Sequence, residues 1–181
     1  LFVLDAMRGH AYGDHALPID FGQTISQPFI VARQTELLEV TKNDRVLEIG
    51  AGSGYMAALM AHQAAQVVSL ELDPQLALMA RENLERAGIT NASVRPADGA
   101  LDPIPDGPFD AIVLSGSVAE VPARLLSQLS DGGRLLAITG QEPVMRATMV
   151  RRKGDRFEVS YPWDVNAARL QHFEEPSAFQ F

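Results

Sequence analysis

The sequence predicts an α/β fold, a mostly parallel sheet with helices on both faces and a terminal antiparallel hairpin. Three observations predict it. Short apolar runs of strand length alternate with segments of helical composition. The first of those runs ends in a glycine-rich turn. After Pro143 the helical spacing gives way to two alternating stretches around Gly154. Strands joined through helices imply right-handed βαβ crossovers and a parallel sheet buried on both faces. A closing hairpin makes that sheet mixed.

The elements follow in order. "TISQPFIVARQTELLEVT" (residues 24–41) reads as a helix with Ile30, Leu37 and Leu38 toward the core. "DRVLEIG" (44–50) is a short apolar run ending at glycines, as a buried strand does. "YMAALMAHQAAQ" (55–66) has helical composition, and "VVSLEL" (67–72) is the second strand. "DPQLALMARENLERAG" (73–88) carries a full set of helix signals: Asp73 as N-cap, Pro74 at the first position, Gly88 as the stop. "ASVRPA" (92–97) and "FDAIVLSG" (109–116) are the third and fourth strands. "VPARLLSQLSDGG" (121–133) reads as a helix ending at Gly132 and Gly133, followed by "RLLAITG" as the fifth strand. "VMRATMVRRKGDRFEVSYPW" (144–163) gives the hairpin. The organisation expected is one domain over 1–181: an N-terminal, substrate-side segment (1–43), a cofactor-binding sheet (44–162) and a tail (163–181).

A chain of 181 residues can bury one sizeable core. It is 46% hydrophobic and 21% charged, the balance of an ordinary soluble globular protein. There is no apolar run long enough for a membrane span. The opening "LFVLDAMRGH" lacks the basic region and cleavage site of a signal peptide, and does not begin with an initiator Met, as a segment cut from a longer chain would. With no cysteine, thiolate nucleophiles and disulfides are excluded, and a cytoplasmic location is expected. A net charge of −8 argues against nucleic acid as partner. The basic run "RRKGDR" is better read as a solvated hairpin turn. The four histidines have no regular spacing with other ligand types, so no metal is expected. His62 lies in a helix, and His10 and His15 lie near the expected mouth of the site.

Ligands in such folds sit outside the carboxyl ends of the strands. The turn there is "EIGAGSGY", with Gly50, Gly52 and Gly54 preceded by Glu48. A dinucleotide loop of the G-x-G-x-x-G type needs its third glycine where Tyr55 stands. A carboxylate beside the loop opposes a pyrophosphate and suits S-adenosylmethionine, which has a cationic sulfonium and an amino group but no phosphate. Glu71, ending the second strand beside Leu72, is placed for both ribose hydroxyls, although nicotinamide sites use an acid there too. Asp98 and Gly99, after the third strand, would flank the adenine. The polar stretch "GQTISQP" (22–28) sits between apolar segments, and from the residues alone Ser26 is either a helix cap or a site residue.

"ALPIDFGQTISQPFIVARQTELLE", "DRVLEIGAGSGYMAALMA", "NASVRPADG", "PFDAIVLSGSVAEVPARLLSQLSDGGRLL" and the opening "VLDAM" together resemble the protein-L-isoaspartate O-methyltransferase family. The resemblance spans roughly residues 16–138 and implies a Rossmann-like methyltransferase fold. It implies transfer of a methyl group from S-adenosylmethionine to the α-carboxylate of L-isoaspartyl residues in damaged protein or peptide. By resemblance Thr24, Ile25 and Ser26 lie between cofactor and acceptor, with Ser26 matching the active-site serine. Gly50, Glu71 and Asp98 match cofactor positions.

Three stretches depart from the family pattern. Only "RGH" separates "VLDAM" from "AYGDHALPI", where a longer segment is expected. "SGSV" (115–118) stands where threonine and alanines are usual. The tail "DVNAARLQHFEEPSAFQF" replaces a Val-Arg-Phe-Val-Pro-Leu-like segment and its arginine anchor, with Phe173, Phe179 and Phe181 read as packing groups. These departures leave open a methyltransferase of the same fold with another small-molecule or protein acceptor. A protein that binds the cofactor without catalysis is the third reading.

Overall fold

The computed structural model describes residues 1–177. Its main sheet has seven strands in the order β5-β4-β3-β6-β7-β8-β9. In chain order these are β3 (Arg45–Ile49), β4 (Gln66–Glu71), β5 (Ala92–Pro96), β6 (Phe109–Val118), β7 (Leu129–Gln141), β8 (Val144–Lys153) and β9 (Arg156–Asp164). Strands β5 to β7 are parallel, and β7-β8-β9 is antiparallel. The helices are α1 (Pro28–Leu38), α2 (Tyr55–Ala61), α3 (Pro74–Arg86) and α4 (Ala123–Leu126). A two-stranded hairpin, β1 (Leu17–Pro18) and β2 (Thr24–Ile25), precedes α1. The expected mixed α/β sheet is therefore present.

The side-chain period of two sorts the central strands onto two faces. Val46, Val67, Ala111 and Val113 face α1, α2 and α3 in one apolar cluster. Leu47, Ile49, Val68, Leu70, Ile112 and Leu114 face the other way, with Phe109, Leu125 and Leu129. From β3 the chain winds outward through β4 to β5, then crosses back to β6 and β7. The strand order therefore switches beside β3, and a crevice opens outside the carboxyl ends of β3 and β6.

Local signals set most boundaries. Asp73 caps α3, accepting from the Gln75 and Leu76 N–H groups at 2.8 and 3.3 Å. Gly154 turns the β8-β9 hairpin with φ +59°. Three expectations are corrected. The helix expected over 121–133 is the single turn α4, because Ser130 is tied back to β6, its hydroxyl donating to Asp110 Oδ1 at 2.9 Å. Gly133 passes so close that a Cβ there would meet the Ser130 oxygen at 2.8 Å, so this stretch joins β7. Helix α2 stops at Ala61, because the Ala65 and Gln66 N–H groups are both taken by the Asp44 carbonyl as β4 begins. The buried face of α1 is Val31, Gln34 and Leu38, while Leu37 is only partly buried and Ile30 lies to one side.

One charged side chain ties α1 to the sheet. Arg134, 7% exposed on β7, donates to the Leu38, Glu39 and Asp110 carbonyls at 2.5, 2.8 and 3.2 Å and to Asp44 Oδ2 at 2.6 Å. Burial alone would raise the Asp44 pKa; the Thr41 N–H, the Arg134 hydrogen bond and the Arg134 charge outweigh it and hold the carboxyl below its usual value. Arg134→Met should cost about 3 kcal/mol in urea unfolding, because it strands a buried carboxylate and three carbonyls. A carboxyl with a lowered folded pKa contributes stability above its unfolded pKa and loses it as the pH falls through the folded value. The variant's deficit should therefore shrink below about pH 4, near the unfolded carboxyl pKa.

Candidate active site

Two cavities meet at the glycine loop between β3 and α2. The larger, about 430 Å³, lies over the carboxyl ends of β3, β4 and β5. The smaller, about 50 Å³, lies between that loop, the β1-β2 hairpin and α1. Thr24, Gly50, Gly52 and Ser115 line both.

The loop is shaped by its contacts. Gly52 has φ +52° and gives its N–H to Glu71 Oε2 at 2.8 Å. The other Glu71 oxygen accepts from the Asp73 N–H at 3.1 Å. Gly54, φ +87°, starts α2 where a Cβ would meet the Ala80 carbonyl of α3 at 3.1 Å. The loop thus needs glycine at Gly52 for its conformation and at Gly54 also for its close approach to α3.

The polar stretch after Gly22 is the return strand of a hairpin. Leu17 pairs with Ile25 and Pro18 with Thr24, around a turn in which Phe21 takes φ +60°. Buried Ile19 packs on the glycine loop, 3.5 Å from where a Gly52 Cβ would stand. Thr24, Ile25 and Ser26 are thereby held against the smaller cavity. Ser26 is not the cap of α1. The N-cap position is Gln27, which makes no side-chain cap bond, and Asp14 Oδ1 accepts from the Phe29 N–H at 3.0 Å. His10 and His15 meet edge to face across the same loop, ring centroids 5.6 Å apart.

Glu48 is fully buried on β3, on the face toward α1 and α2. Ser69, its register partner on β4, donates to Oε2 at 2.6 Å, and Ser115 of β6 donates to Oε1 at 2.8 Å. Burial pushes its pKa up to about 7; the two hydroxyls pull it partly back, and the Glu71 charge pushes it further up. Ser115, in the stretch that departs from the family pattern, is therefore part of this cluster.

Asp98 accepts from the Ala100 N–H at 2.9 Å and pairs with His172 Nδ1 at 2.5 Å. Burial alone would raise its pKa, but the His172 hydrogen bond and the Ala100 N–H hold the carboxyl below its usual value. The tail crosses the sheet end here. Ser117 gives its N–H to the Ala168 carbonyl at 2.7 Å and accepts from the Leu170 N–H at 2.8 Å. A Cβ on Gly116 would stand 2.8 Å from the Leu170 side chain, so glycine at this position makes room for the crossing. Arg169, Leu170 and Phe173 line the larger cavity, so the tail does bring an arginine to the site. That arginine also donates to the Gly140 carbonyl at 2.8 Å and pairs with Glu175 at 2.9 Å. Phe173 packs against the second apolar cluster; Phe179 and Phe181 lie outside the described residues.

Of the residues expected from sequence, Thr24, Ile25, Ser26, Glu48, Gly50 and Gly52 line the smaller cavity. Glu71, Leu72, Asp98 and Gly99 line the larger. Gly54 lines neither. Gly99 also serves packing, since a Cβ there would meet Ile49 at 2.6 Å. Sequence reasoning missed Gln34, Ser53 and Met56 in the smaller cavity. A glutamine on the buried stripe of a helix was the one available signal. Among the described residues no group of three or more His, Asp or Glu could hold a metal ion. No described helix is long and apolar enough to cross a membrane. Among the described residues, the acidic and basic side chains lining the two cavities are Glu48, Glu71, Asp73, Asp98 and Arg169. This acidic set repels a pyrophosphate and fits a cationic, phosphate-free cofactor.

Comparison with known proteins agrees with this chemistry. The family model described as Protein-L-isoaspartate(D-aspartate) O-methyltransferase (PCMT) matches residues 1–166. The chain belongs to this family. The chain is 51% identical over 155 residues to a protein-L-isoaspartate O-methyltransferase of Methanoculleus marisnigri, covering 85% of this chain and 70% of that one. A solved protein-L-isoaspartate O-methyltransferase superposes with a TM-score of 0.77 at 29% identity over 86% of this chain, which spans only 51% of that longer one. A Plasmodium falciparum protein described under the same name, in complex with S-adenosyl-L-homocysteine, superposes with a TM-score of 0.74 at 25% identity, covering 88% and 81% of the two chains. The family match begins at residue 1, so the short opening lies within it, and it ends at residue 166, before the tail residues that line the larger cavity. The family depends on S-adenosylmethionine.

The buried Glu48 generates a pH prediction. Its folded pKa, about 7, exceeds the unfolded value of 4.5, so the folded state holds a proton that the unfolded chain has released. Stability from this group is present below pH 4.5 and is lost as the pH rises through about 7. Glu48→Gln should therefore gain on the order of 3 kcal/mol relative to the parent between pH 4 and pH 8. Urea unfolding at the two pH values checks it, and a pH-independent difference would contradict it.

Proposed function

We propose that this chain transfers a methyl group from S-adenosylmethionine to the α-carboxylate of an L-isoaspartyl residue in protein or peptide, the first step in repairing that damage. The observation that carries the reading is the place of Ser26. The β1-β2 hairpin holds it, with Thr24 and Ile25, beside the glycine loop where the two cavities meet.

The chemistry asks little of a base, because an α-carboxylate is already ionised at neutral pH. S-adenosylmethionine, when bound, supplies an electrophilic methyl group on a cationic sulfur. The chain's residues supply position and exclusion of water. Glu71, Leu72, Asp98 and Gly99 would hold the nucleoside, with Glu71 facing the ribose hydroxyls. Gly50, Gly52 and Gly54 shape the loop, and Glu48 would face the cationic end. Ser26 would donate its hydroxyl to the acceptor carboxylate and fix one oxygen in line with the methyl group. His172 and Leu170 would close the adenine end.

On this reading the chain acts as one unit: residues 1–43 present the acceptor, 44–162 hold the cofactor, and the described tail, 163–177, covers the site. Its partner is a damaged protein, not nucleic acid or membrane, and its compartment is the cytoplasm. One observation favours a second reading, a different methyl acceptor: the residues that line the larger cavity beyond residue 166 fall outside the family match.

Two matched peptides, one with L-isoaspartate and one with aspartate, separate the readings when offered with labelled S-adenosylmethionine. Transfer to the isoaspartyl peptide alone is expected. Cofactor binding with transfer to neither would overturn the isoaspartyl acceptor and favour the second reading, and turnover on no acceptor at all would mark a protein that binds the cofactor without catalysis. Ser26→Ala should lower turnover about tenfold or more, as the loss of one charge-assisted hydrogen bond does, with stability within about 0.5 kcal/mol of the parent. Normal turnover would remove Ser26 from the site.

A further inference from the structure

Gln34 occupies a place where an apolar residue would be ordinary. It lies on the buried stripe of α1, between Val31 and Leu38, and is 3% exposed. Burying a primary amide without a partner is costly, so its hydrogen bonds have to be accounted for. Among the described residues its side chain makes no hydrogen bond, yet no fully enclosed side-chain nitrogen or oxygen is left without a partner. The amide is therefore not sealed into the core. It opens on the smaller cavity, whose wall it forms with Ser26, Ser53, Met56 and Glu48.

The surroundings say what such an amide can bind. Glu48 is the one carboxylic acid among that cavity's lining residues, and both its oxygens are already engaged by Ser69 and Ser115. A cationic group entering the cavity meets this carboxylate. A carboxylate entering it has no lysine, arginine or histidine to pair with there, and must be held by neutral donors. The side-chain donors left are the Gln34 NH2 group and the Thr24, Ser26, Ser53 and Tyr55 hydroxyls, and only the Gln34 amide carries two N–H bonds on one atom. An amide NH2 offers two N–H bonds, and hydrogen bonds to an ionised acceptor are the strong kind.

We propose that Gln34 is a ligand-binding residue whose side-chain amide donates to a carboxylate bound in the smaller cavity. The inference rests on the methyltransferase reading above, which supplies two carboxylates at this place. One is on the amino-acid end of the cofactor and the other is the methyl acceptor itself. Gln34 thereby trades fold stability for recognition, because its own helix leaves the amide unsatisfied.

The trade gives the test two readouts that a packing role would not produce together. Gln34→Met keeps the volume and removes the donors; Gln34→Glu keeps the shape and opposes an anion. Binding of S-adenosylhomocysteine by calorimetry, KM for an isoaspartyl peptide, and urea stability are measured on each full chain. Gln34→Met should weaken one ligand about tenfold, the loss of one charge-assisted hydrogen bond, without loss of stability. Gln34→Glu should weaken the same ligand further. A raised Kd for S-adenosylhomocysteine places the carboxylate on the cofactor, and a raised peptide KM with unchanged Kd places it on the acceptor. Unchanged Kd and KM in both variants would overturn the proposal, as would a loss of stability in Gln34→Met matching its loss of binding. If the parent chain itself fails to bind S-adenosylhomocysteine, the methyltransferase reading fails, independently of Gln34.

Discussion

The Glu71 carboxylate is the interaction on which the site depends. It stands at the end of β4, 8% exposed, and takes the Gly52 N–H with one oxygen and the Asp73 N–H with the other. Asp73 in turn caps α3, and α3 carries the Ala80 surface on which Gly54 packs. One carboxylate thus connects the loop after β3, the turn after β4 and the start of the next helix. Charge-assisted hydrogen bonds to backbone N–H groups are the strong kind, and here they fix a glycine loop whose backbone is intrinsically permissive. Each carboxylate oxygen has a further lone pair, so the same group can brace the loop and accept from a ligand hydroxyl.

The rest of the crevice extends the same sign of charge. Glu48, Asp73 and Asp98 join Glu71 around the two cavities, with Arg169 as the one cation in their walls among the described residues. Crowded acids raise one another's pKa unless something intervenes. Asp98 is held ionised by His172, whereas Glu48, deep in the sheet with two serine hydroxyls, is left poised near neutrality. A cation arriving beside Glu48 relieves that frustration. This gives the acidic crevice a physical preference for a sulfonium over a phosphate, whatever the acceptor.

Much of this was legible in the sequence, because glycines and caps are local signals. The glycine loop, the acid ending β4, the Asp73 cap and the Gly154 hairpin each sit where the residues place them. What escaped was set by contacts distant in the chain. From spacing alone Ser26 could be a cap or a site residue; Asp14 on the far side of the hairpin takes the Phe29 N–H at the start of α1, which no local signal reports. The helix expected over 121–133 is cut to one turn by the Ser130 bond to Asp110, which no propensity reports. The tail was read as lacking its arginine, yet its path over Gly116 brings Arg169 and His172 to the crevice, because a side chain's partner depends on topology rather than spacing. On α1 the apolar residues marked the helix, but a polar Gln34 on its buried stripe carried no apolar signal and was left unassigned.

The central claim is that Glu71 both braces the loop and receives the cofactor. The most direct measurement is calorimetric binding of S-adenosylhomocysteine to the parent chain and to Glu71→Ala and Glu71→Gln, with unfolding followed alongside. The account predicts a Kd raised about a hundredfold in both variants, the loss of two charge-assisted bonds. In Glu71→Gln it predicts this while cooperative unfolding is kept. An unchanged Kd in a folded variant would contradict it, and would mean that the loop is held, and the cofactor bound, by something other than this carboxylate.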